Sequence, residues 1–311
     1  MQCAGDPGRL QAVLAGLDAY QTAPRSPRLA AMPAIAQARG AALRDYGGSG
    51  AALVVVPSLI NPPSILDLDA QASLLRWLAG HGQRTLLLEW GPAADRADLD
   101  IAGHVREILV PLLGAAGPEP ALLGYCLGGT MAMIAARQAP VRALGTIAAP
   151  WHFDAYDDRG RIAALWHAAA PAAEALGLLP MEALQSGFWS LDPARTVQKF
   201  IDFAALDPAS RAAARFVALE DWANEGDPLP LPAARELLAW FENPPRGPHE
   251  RTTFTGNELH FASTTDKIVP LASTPRTGRR IALPYGHVGM IVGSHARQAL
   301  WQPLADWLVE R

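Results

Sequence analysis

Between residues 51 and 150 the sequence alternates between short apolar runs and longer amphipathic runs. The short runs are AALVVVP, RTLLLEW, EPALLGYC and VRALGTIAAP. Runs that are apolar throughout are typical of strands buried on both faces of a parallel sheet. The amphipathic runs, such as DLDAQASLLRWLAGHG from Asp67, predict helices, and strands that alternate with helices form right-handed βαβ units. This stretch therefore predicts a mostly parallel, doubly wound sheet.

The alternation stops after residue 150 and resumes only near residue 251. Residues 151–250 contain mainly helical patterns, such as DPARTVQKFIDFAAL and LPAARELLAWFEN. Strand patterns return in NELHFAST and RRIALP, before a closing helix in SHARQALWQPLADWLVE. A sheet that is interrupted by helices and then completed is the layout of the α/β-hydrolase fold. We predict this fold, with residues 49–150 and 251–311 as the core and 151–250 as a helical cap before the acid-bearing strand.

Residues 1–48 have a different pattern. One helical run is followed by the Pro-broken segment TAPRSPRLAAMP, and a second helical run reaches Arg44 before YGGSG ends it. We predict a helical N-terminal segment, to which the sequence assigns no role.

The composition disfavours several classes of function. Half of the residues are hydrophobic and 18% are charged, which is typical of a chain with a buried core. The net charge of −4 disfavours a nucleic-acid partner. With only two cysteines, Cys3 and Cys126, we expect no disulfide framework and a reducing cytoplasm. We find neither a leader pattern nor an apolar run long enough to span a membrane.

Cys126 lies between a predicted strand and a predicted helix, in the sequence Gly124-Tyr125-Cys126-Leu127-Gly128. This pattern matches the nucleophile elbow, a strained turn that exposes a nucleophile, with cysteine in place of serine. Small flanking residues let strand and helix pass closely, and the free amides at the helix start favour a thiolate. We predict that Cys126 is a nucleophile; the alternative is a buried, inert cysteine.

An elbow nucleophile needs an acid and then a histidine later in the chain. Asp266 follows the predicted strand NELHFAST, and His287 lies in the loop YGHVGM before the last helix. We predict His287 as general base and Asp266 as its orienter; the alternatives are a hydrogen-bonded loop histidine and a turn-forming aspartate. The remaining histidines have less suitable settings: His81, His104, His152, His167, His249, His260 and His295.

Two backbone amides are expected to stabilise the oxyanion. One belongs to Leu127, directly after the nucleophile. The other normally comes from the loop after the first central strand, here PSLINPPS, in which Leu59 or Ile60 would supply it. The alternative is that this Pro-rich segment is only a tight surface loop.

With these residues assembled, the chain resembles the catalytic subunit of polyhydroxyalkanoate (PHA) synthases, most closely the short, two-subunit type. The resemblance spans roughly residues 50 to 311, with gaps. It rests on GYCLGGT, PSLINPPSILDLDAQASLLRWLAGHGQRTLLLEWG, SGFWSLDPARTVQKFIDF, RFVALEDWANEGDPLP and GHVGMIVG. The chain departs from the family in its predicted helical N-terminus, where the family has extra strands. The spacing from Asp266 to His287 is also shorter than in the family.

The resemblance implies that Cys126 takes a 3-hydroxyacyl group from a CoA thioester and passes it to a hydroxyl acceptor. His287 would be the base, and Asp266 its partner or an activator of the hydroxyl. Acyl-CoA would be a substrate, with no cofactor and no metal. The implied partners are a growing polyester and a second copy of the chain or a second synthase subunit, in the cytoplasm and on polyester granules.

Other interpretations stay open. The same triad would serve a thioesterase, an esterase or a depolymerase-like hydrolase, and a non-catalytic homologue would bind granules or a synthase subunit. Trp222 and Asp221 are candidates for substrate gating, although a core tryptophan is the favoured interpretation of Trp222. Four arginines are weak candidates for contacts with CoA phosphates, since such side chains are more often solvated: Arg159, Arg161, Arg246 and Arg251.

Overall fold

The computed structural model describes residues 5–244 and 254–310. Its strands include both long members of a central sheet and short two- or three-residue pairs. They are β1 (Ala34–Ala38), β2 (Ala41–Asp45), β3 (Ser49–Val56), β4 (Asp67–Asp69), β5 (Ala72–Ser73), β6 (Gln83–Glu89), β7 (Ala121–Tyr125), β8 (Ala143–Ile147), β9 (Leu178–Leu179), β10 (Leu229–Pro230), β11 (Asn257–Ser263) and β12 (Arg279–Leu283).

Eight strands form the central sheet, in the order β1-β2-β6-β3-β7-β8-β11-β12. Every neighbouring pair from β6 to β12 is parallel, whereas β2 pairs antiparallel with both β1 and β6. The predicted mostly parallel sheet is therefore confirmed. The carboxyl ends of its parallel strands meet at one edge, where ligand sites of such sheets lie.

Helices cover both faces of the sheet and form the segment between β8 and β11. They are α1 (Pro7–Thr22), α2 (Leu74–Gly80), α3 (Ile101–His104), α4 (Val110–Ala115), α5 (Leu127–Ala135), α6 (Arg159–Leu176), α7 (Met181–Trp189), α8 (Pro193–Ala204), α9 (Arg211–Asn224), α10 (Leu231–Glu242), α11 (Gly289–Val292) and α12 (Gln302–Val309). Single π-helical turns, Val105–Leu109 and Arg297–Trp301, precede α4 and α12. Within the described residues, no helix combines the length and the apolar character needed to cross a membrane.

The core lies on both faces of the sheet. Val54 and Val56 of β3 belong to the cluster that contains α5, and Leu53 and Val55 belong to the opposite cluster that contains α12. Successive side chains of a strand point to opposite faces, so a strand covered by helices on both sides needs apolar side chains along nearly its whole length. This requirement explains the unbroken apolar run of AALVVVP.

The N-terminal segment corrects one expectation. The first predicted helix exists as α1, but the second, which we expect to reach Arg44, is wrong: β1 and β2 form a hairpin there. Its two-residue turn, Arg39-Gly40, has φ of 48° and 78°, as tight hairpin turns require. Alanine-rich composition favours helix locally, but pairing of β2 with β6 outweighs this preference.

The helix predicted from Asp67 begins only at Leu74. The intervening residues form the short hairpin β4–β5, and Asp69 Oδ1 accepts the amides of Gln71 and Ala72 in its turn. The hydroxyl of Ser73 then caps α2 by accepting the amide of Arg76 at 3.0 Å. Local side-chain hydrogen bonds, which compete with helix formation, therefore set this boundary.

Helices α6 to α10 form the cap, between β8 and β11 as predicted. The predicted boundary at residue 250 lies outside the described residues. Two partly buried hydrogen bonds join the cap to the core. The indole N–H of Trp222 donates to the carbonyl of Pro62 at 2.9 Å, and Glu236 Oε2 accepts the amide of Ile101 at 2.6 Å at the start of α3.

Helix α1 packs on the cap. Gly16 is so close to α8 that a Cβ at this position would lie 2.0 Å from the carbonyl oxygen of Phe200. The hydroxyl of Tyr20 donates to Asp221 at 2.6 Å, and Arg25 forms an ion pair with the same carboxylate. The N-terminal segment therefore supports the cap with its helix and extends the sheet with its hairpin.

Two glycines permit the close crossing of β7, β3 and α5. A Cβ at Gly124 would lie 2.3 Å from the Cα of Gly129, and a Cβ at Gly128 would lie 2.2 Å from the carbonyl oxygen of Val56. Both contacts are with backbone, which cannot rotate away. The glycines are therefore required by packing around Cys126.

We predict that Gly128→Ala lowers the free energy of unfolding by about 2 kcal/mol or more, because the methyl group forces backbone apart in a closely packed region. Urea denaturation measures the change. The matched control is Gly114→Ala in α4, where a Cβ meets no atom within 4 Å and the substitution removes a helical glycine. This control should be neutral or stabilising by up to about 1 kcal/mol. Equal midpoints for the two variants would contradict the packing argument.

Candidate active site

Cys126 lies in the turn between β7 and α5 with φ of 55° and ψ of −130°. Few residues other than glycine adopt a positive φ, and such strain is characteristic of functional turns. The amide of Cys126 donates to the carbonyl of Ile147 at 2.9 Å, which anchors the turn to β8. The side chain is a free, half-buried thiol. The elbow geometry therefore presents the thiol at the carboxyl edge of the sheet.

Asp266 and His287 follow β11 and β12, the last two strands of the sheet. The Oδ2 atom of Asp266 lies 2.6 Å from His287 Nδ1. The other oxygen, Oδ1, accepts the amides of Ile268 at 2.7 Å and Val269 at 3.1 Å. The side chains of Asp266 and His287 are 1% and 8% exposed, so water competes little for their interaction. The carboxylate therefore holds the imidazole in one orientation.

The surroundings of His287 favour its protonated form. Burial lowers its pKa, but the charges of Asp266 and Cys126, together with hydrogen bonds to both, outweigh burial and raise the pKa to about 10. The ring of Tyr125 packs on the imidazole at 5.1 Å between centroids. These contacts place the histidine between the thiol and the carboxylate, as a proton carrier between a nucleophile and an acid requires.

The two candidate oxyanion amides in the loop after β3 differ in their partners. The amide of Ile60 donates to Ser58 Oγ at 3.2 Å. For the amide of Leu59 we find no acceptor in the described part of the chain. Leu127 is the first residue of α5, where backbone amides lack partners within the helix.

Two cavities meet at Cys126. The first, here called the apolar cavity, has a volume of about 200 Å³ and lies between the core and the cap. The second, the polar cavity, has a volume of about 640 Å³ and contains both His287 and Asp266. Six residues line both cavities: Ile60, Cys126, Phe188, Leu191, Lys267 and Ile268.

Of the described histidines, His287 alone lines either of these cavities. His104 is buried against Arg96, and burial lowers its pKa to about 4. His260 is buried between Thr146 and Glu258 within the sheet. His249 lies outside the described residues. The structure thus brings together the three predicted side chains and leaves these histidines in other surroundings.

The weaker candidates have structural partners. Asp221 binds α1 and Trp222 is buried against the loop after β3, although Trp222 also lines the polar cavity. Arg161 contacts Asp158 and Ser190, and Arg159 lies near the carbonyl of Phe241 at 3.5 Å. Arg246 and Arg251 lie outside the described residues.

Sequence reasoning missed the basic residues of the polar cavity. Lys199 and Lys267, the only lysines of the sequence, both line it, together with Arg195. Lys199 pairs with Glu220 and Lys267 pairs with Asp192, each at 2.6 Å. The sequence contained a signal for these residues, because only two of its 26 basic Lys and Arg residues are lysines. Among described residues, no three His, Cys, Asp or Glu side chains cluster as metal ligands would.

No protein-family model matches the chain. Searches against curated proteins return PhaC subunits of poly(3-hydroxyalkanoate) polymerases. The chain is 26% identical to that of Haloferax mediterranei, over 83% of this chain and 58% of the relative. It is also 26% identical to those of Haloarcula marismortui (89% and 64%) and Allochromatium vinosum (83% and 81%). The chain thus spans about three-fifths of the length of the first two relatives.

Solved structures with the same fold have little sequence identity to the chain. An α/β-hydrolase fold protein from Nakamurella multipartita aligns with a TM-score of 0.51 and 18% identity, over 89% of this chain and 98% of its own. A monoacylglycerol lipase from Paleococcus ferrophilus aligns with a TM-score of 0.53 and 14% identity, over 86% and 97%. The chain therefore has the α/β-hydrolase fold, and the resemblance of its sequence to the PhaC subunits of poly(3-hydroxyalkanoate) polymerases is confirmed.

Proposed function

We propose that the chain is an acyltransferase like the PHA synthases, in which Cys126 takes a 3-hydroxyacyl group from a CoA thioester and passes it to a hydroxyl acceptor. One observation carries the proposal: the strained thiol of Cys126 lines the same cavity as the buried His287–Asp266 pair. Similarity to PhaC subunits over most of the chain supports the same chemistry.

In the first half-reaction, the thiolate of Cys126 attacks the thioester carbonyl while its proton resides on His287. The amide of Leu127 and that of Leu59 or Ile60 hold the oxyanion, and the bond between Ile60 and Ser58 favours Leu59. The bond to the CoA sulfur then breaks, and the imidazolium gives its proton to that sulfur. The products are free CoA and an acyl thioester on Cys126.

In the second half-reaction, the neutral imidazole of His287 takes a proton from the hydroxyl of the acceptor. The alkoxide attacks the acyl carbon, the bond to the Cys126 sulfur breaks, and the thiolate and imidazolium are restored. A thioester keeps the acyl group reactive towards a hydroxyl, which explains the use of cysteine where a serine would form a less reactive ester. Nucleophile, base and oxyanion donors all come from the chain, so the proposed reaction uses acyl-CoA as substrate and no cofactor.

The acceptor and partners follow from the same proposal. A 3-hydroxyacyl unit already attached to a growing polyester ends in a hydroxyl, so repeated transfer would lengthen the polymer. Association with a second copy of the chain, with a second synthase subunit, and with polyester granules belongs to this proposal. Hydrolysis is the competing outcome, because water in the polar cavity would release a free acid from the same intermediate.

We predict that the protein releases CoA from 3-hydroxyacyl-CoA and that Cys126→Ala lowers this rate by at least about a thousand-fold, since removal of a nucleophile abolishes the covalent route. A thiol assay follows CoA, and mass spectrometry follows acyl units on Cys126. The matched control, Cys3→Ala, should keep the activity.

The products separate the alternatives. Successive monomer masses on Cys126 indicate polymer growth, whereas free acid released in step with CoA, with no oligomer, indicates a hydrolase. No CoA release from any hydroxyacyl-CoA, together with a Cys126 that does not react with iodoacetamide in a folded protein, would favour the non-catalytic binding homologue.

The raised pKa of His287 predicts a dependence of stability on pH. Because the folded pKa, about 10, exceeds the value of about 6.5 in an unfolded chain, the bound proton stabilises the folded state. This contribution is complete below about pH 6.5 and is lost as the pH rises towards 10. Asp266→Asn removes a charge that raises this pKa, so the free energy of unfolding should fall less steeply over this window than in the wild type.

Urea denaturation between pH 6 and 10 measures both slopes. Asp207→Asn is the control, because this carboxylate lies in an exposed loop and, among the described residues, accepts just the amide of Ala209. It should keep the wild-type slope. Equal slopes for the wild type and Asp266→Asn would refute the assigned role of the carboxylate in holding the proton on His287.

A further inference from the structure

Among the described residues that line the apolar cavity, each charged side chain pairs with one of opposite charge. Arg161 at its rim contacts both Asp158 and Ser190, and Lys267 pairs with Asp192. The remaining lining is mostly aromatic and aliphatic and comes from the core and from cap helices α6, α7 and α10. Its large side chains include Phe153, Leu165, Trp166, Leu184, Leu237 and Phe241.

The volume of this cavity is larger than a short acyl group needs. It measures about 200 Å³, whereas an apolar cavity of about 150 Å³ already accepts benzene, with six carbons. The tail of a 3-hydroxybutyryl group beyond its hydroxyl-bearing carbon is a single methyl group. A methyl group would leave most of the cavity empty. The side chains that line the empty part would then lack van der Waals contacts.

Cys126 lies where the two cavities meet, so a group bound to its sulfur can extend into both. An alkyl tail gains more free energy in the apolar cavity, because a smaller share of its lining side chains is polar or charged. The 3-hydroxyl group and the departing CoA then occupy the polar cavity, where His287 and the basic side chains of Arg195, Lys199 and Lys267 lie. The apolar cavity therefore acts as a binding site for the part of the acyl group that does not react.

We propose that the apolar cavity binds the alkyl tail of the acyl group, and that the preferred substrates carry tails of about five carbons or more, as in 3-hydroxyoctanoyl thioesters. This inference rests on the proposed acyl transfer and names its substrate class. Each methylene moved from water into the cavity raises kcat/KM about four-fold at the usual transfer free energy.

A larger side chain at Gly187 of α7 would fill part of the apolar cavity. It lines the cavity, and a Cβ at this position would meet only Leu165 Cδ1, at the ordinary contact distance of 3.9 Å. Gly187→Phe therefore places a ring towards the space of the alkyl tail without a clash at the backbone. The matched control is Gly160→Phe in α6, where a Cβ meets no atom within 4 Å and which lines neither the apolar nor the polar cavity.

The test is the rate of CoA release from 3-hydroxyacyl-CoA substrates of four, six, eight and ten carbons. For the wild type we expect kcat/KM for 3-hydroxyoctanoyl-CoA to exceed that for 3-hydroxybutyryl-CoA by at least about ten-fold. Gly187→Phe should remove this preference, and Gly160→Phe should keep it. A wild type that prefers the four-carbon substrate, or a preference that survives in Gly187→Phe, overturns the proposal.

A second measurement separates this proposal from the proposed acyl transfer. N-octyl and N-ethyl iodoacetamide are compared for their rates of alkylation at Cys126, by peptide mass spectrometry, with rates normalised to glutathione. The octyl reagent should react at least about ten-fold faster with the wild type and lose this advantage in Gly187→Phe. If no thioester releases CoA but the octyl advantage is present, acyl transfer fails and the cavity assignment stands; equal rates for the two reagents refute the cavity assignment.

Discussion

The strained turn at Cys126 depends on a backbone contact on each side of β7. The amide of Cys126 donates to Ile147 at the end of β8, and Gly128 packs against the carbonyl of Val56 at the end of β3. A positive φ at a residue other than glycine costs free energy. It persists only where the surrounding structure permits no other backbone conformation. The order of strands in the sheet therefore determines where the thiol lies: the loop after β3 borders β7 on one side, and the acid-bearing strand β11 lies on the other side, beyond β8.

The cap shapes the site through contacts that are long-range in sequence. Trp222 donates to Pro62 in the loop after β3, and Glu236 accepts the amides at the start of α3. Burial raises the pKa of Glu236, although both amide bonds favour its charged form. Because the contact of Trp222 holds the loop beside Cys126, the cap both covers Cys126 and positions the backbone that would bind the oxyanion in the proposed reaction. The cap helices that cover Cys126 therefore also position the loop after β3.

Much of the fold followed from local patterns, and the exceptions have identifiable causes. The apolar runs predicted β3, β6, β7 and β8 because strands buried on both faces are apolar at most positions. The hairpin β1–β2 was missed because its alanines favour helix, while its pairing partner β6 lies some forty residues away. The start of α2 was missed because Asp69 and Ser73 form local side-chain hydrogen bonds that an apolar pattern does not reveal.

The sequence by itself determined the candidate reactive groups: a cysteine between glycines at a strand-to-helix turn, followed by an aspartate and a histidine in the order that the proposed reaction requires. These groups could be identified because the turn demands small residues at fixed spacing. Only the tertiary structure decided the surroundings that raise the pKa of His287, the division of the site into an apolar and a polar cavity, and the contacts of residues 5–48 with the cap and the sheet. Burial and charge around a side chain arise from segments far apart in the chain, and no local pattern records which of those segments will meet.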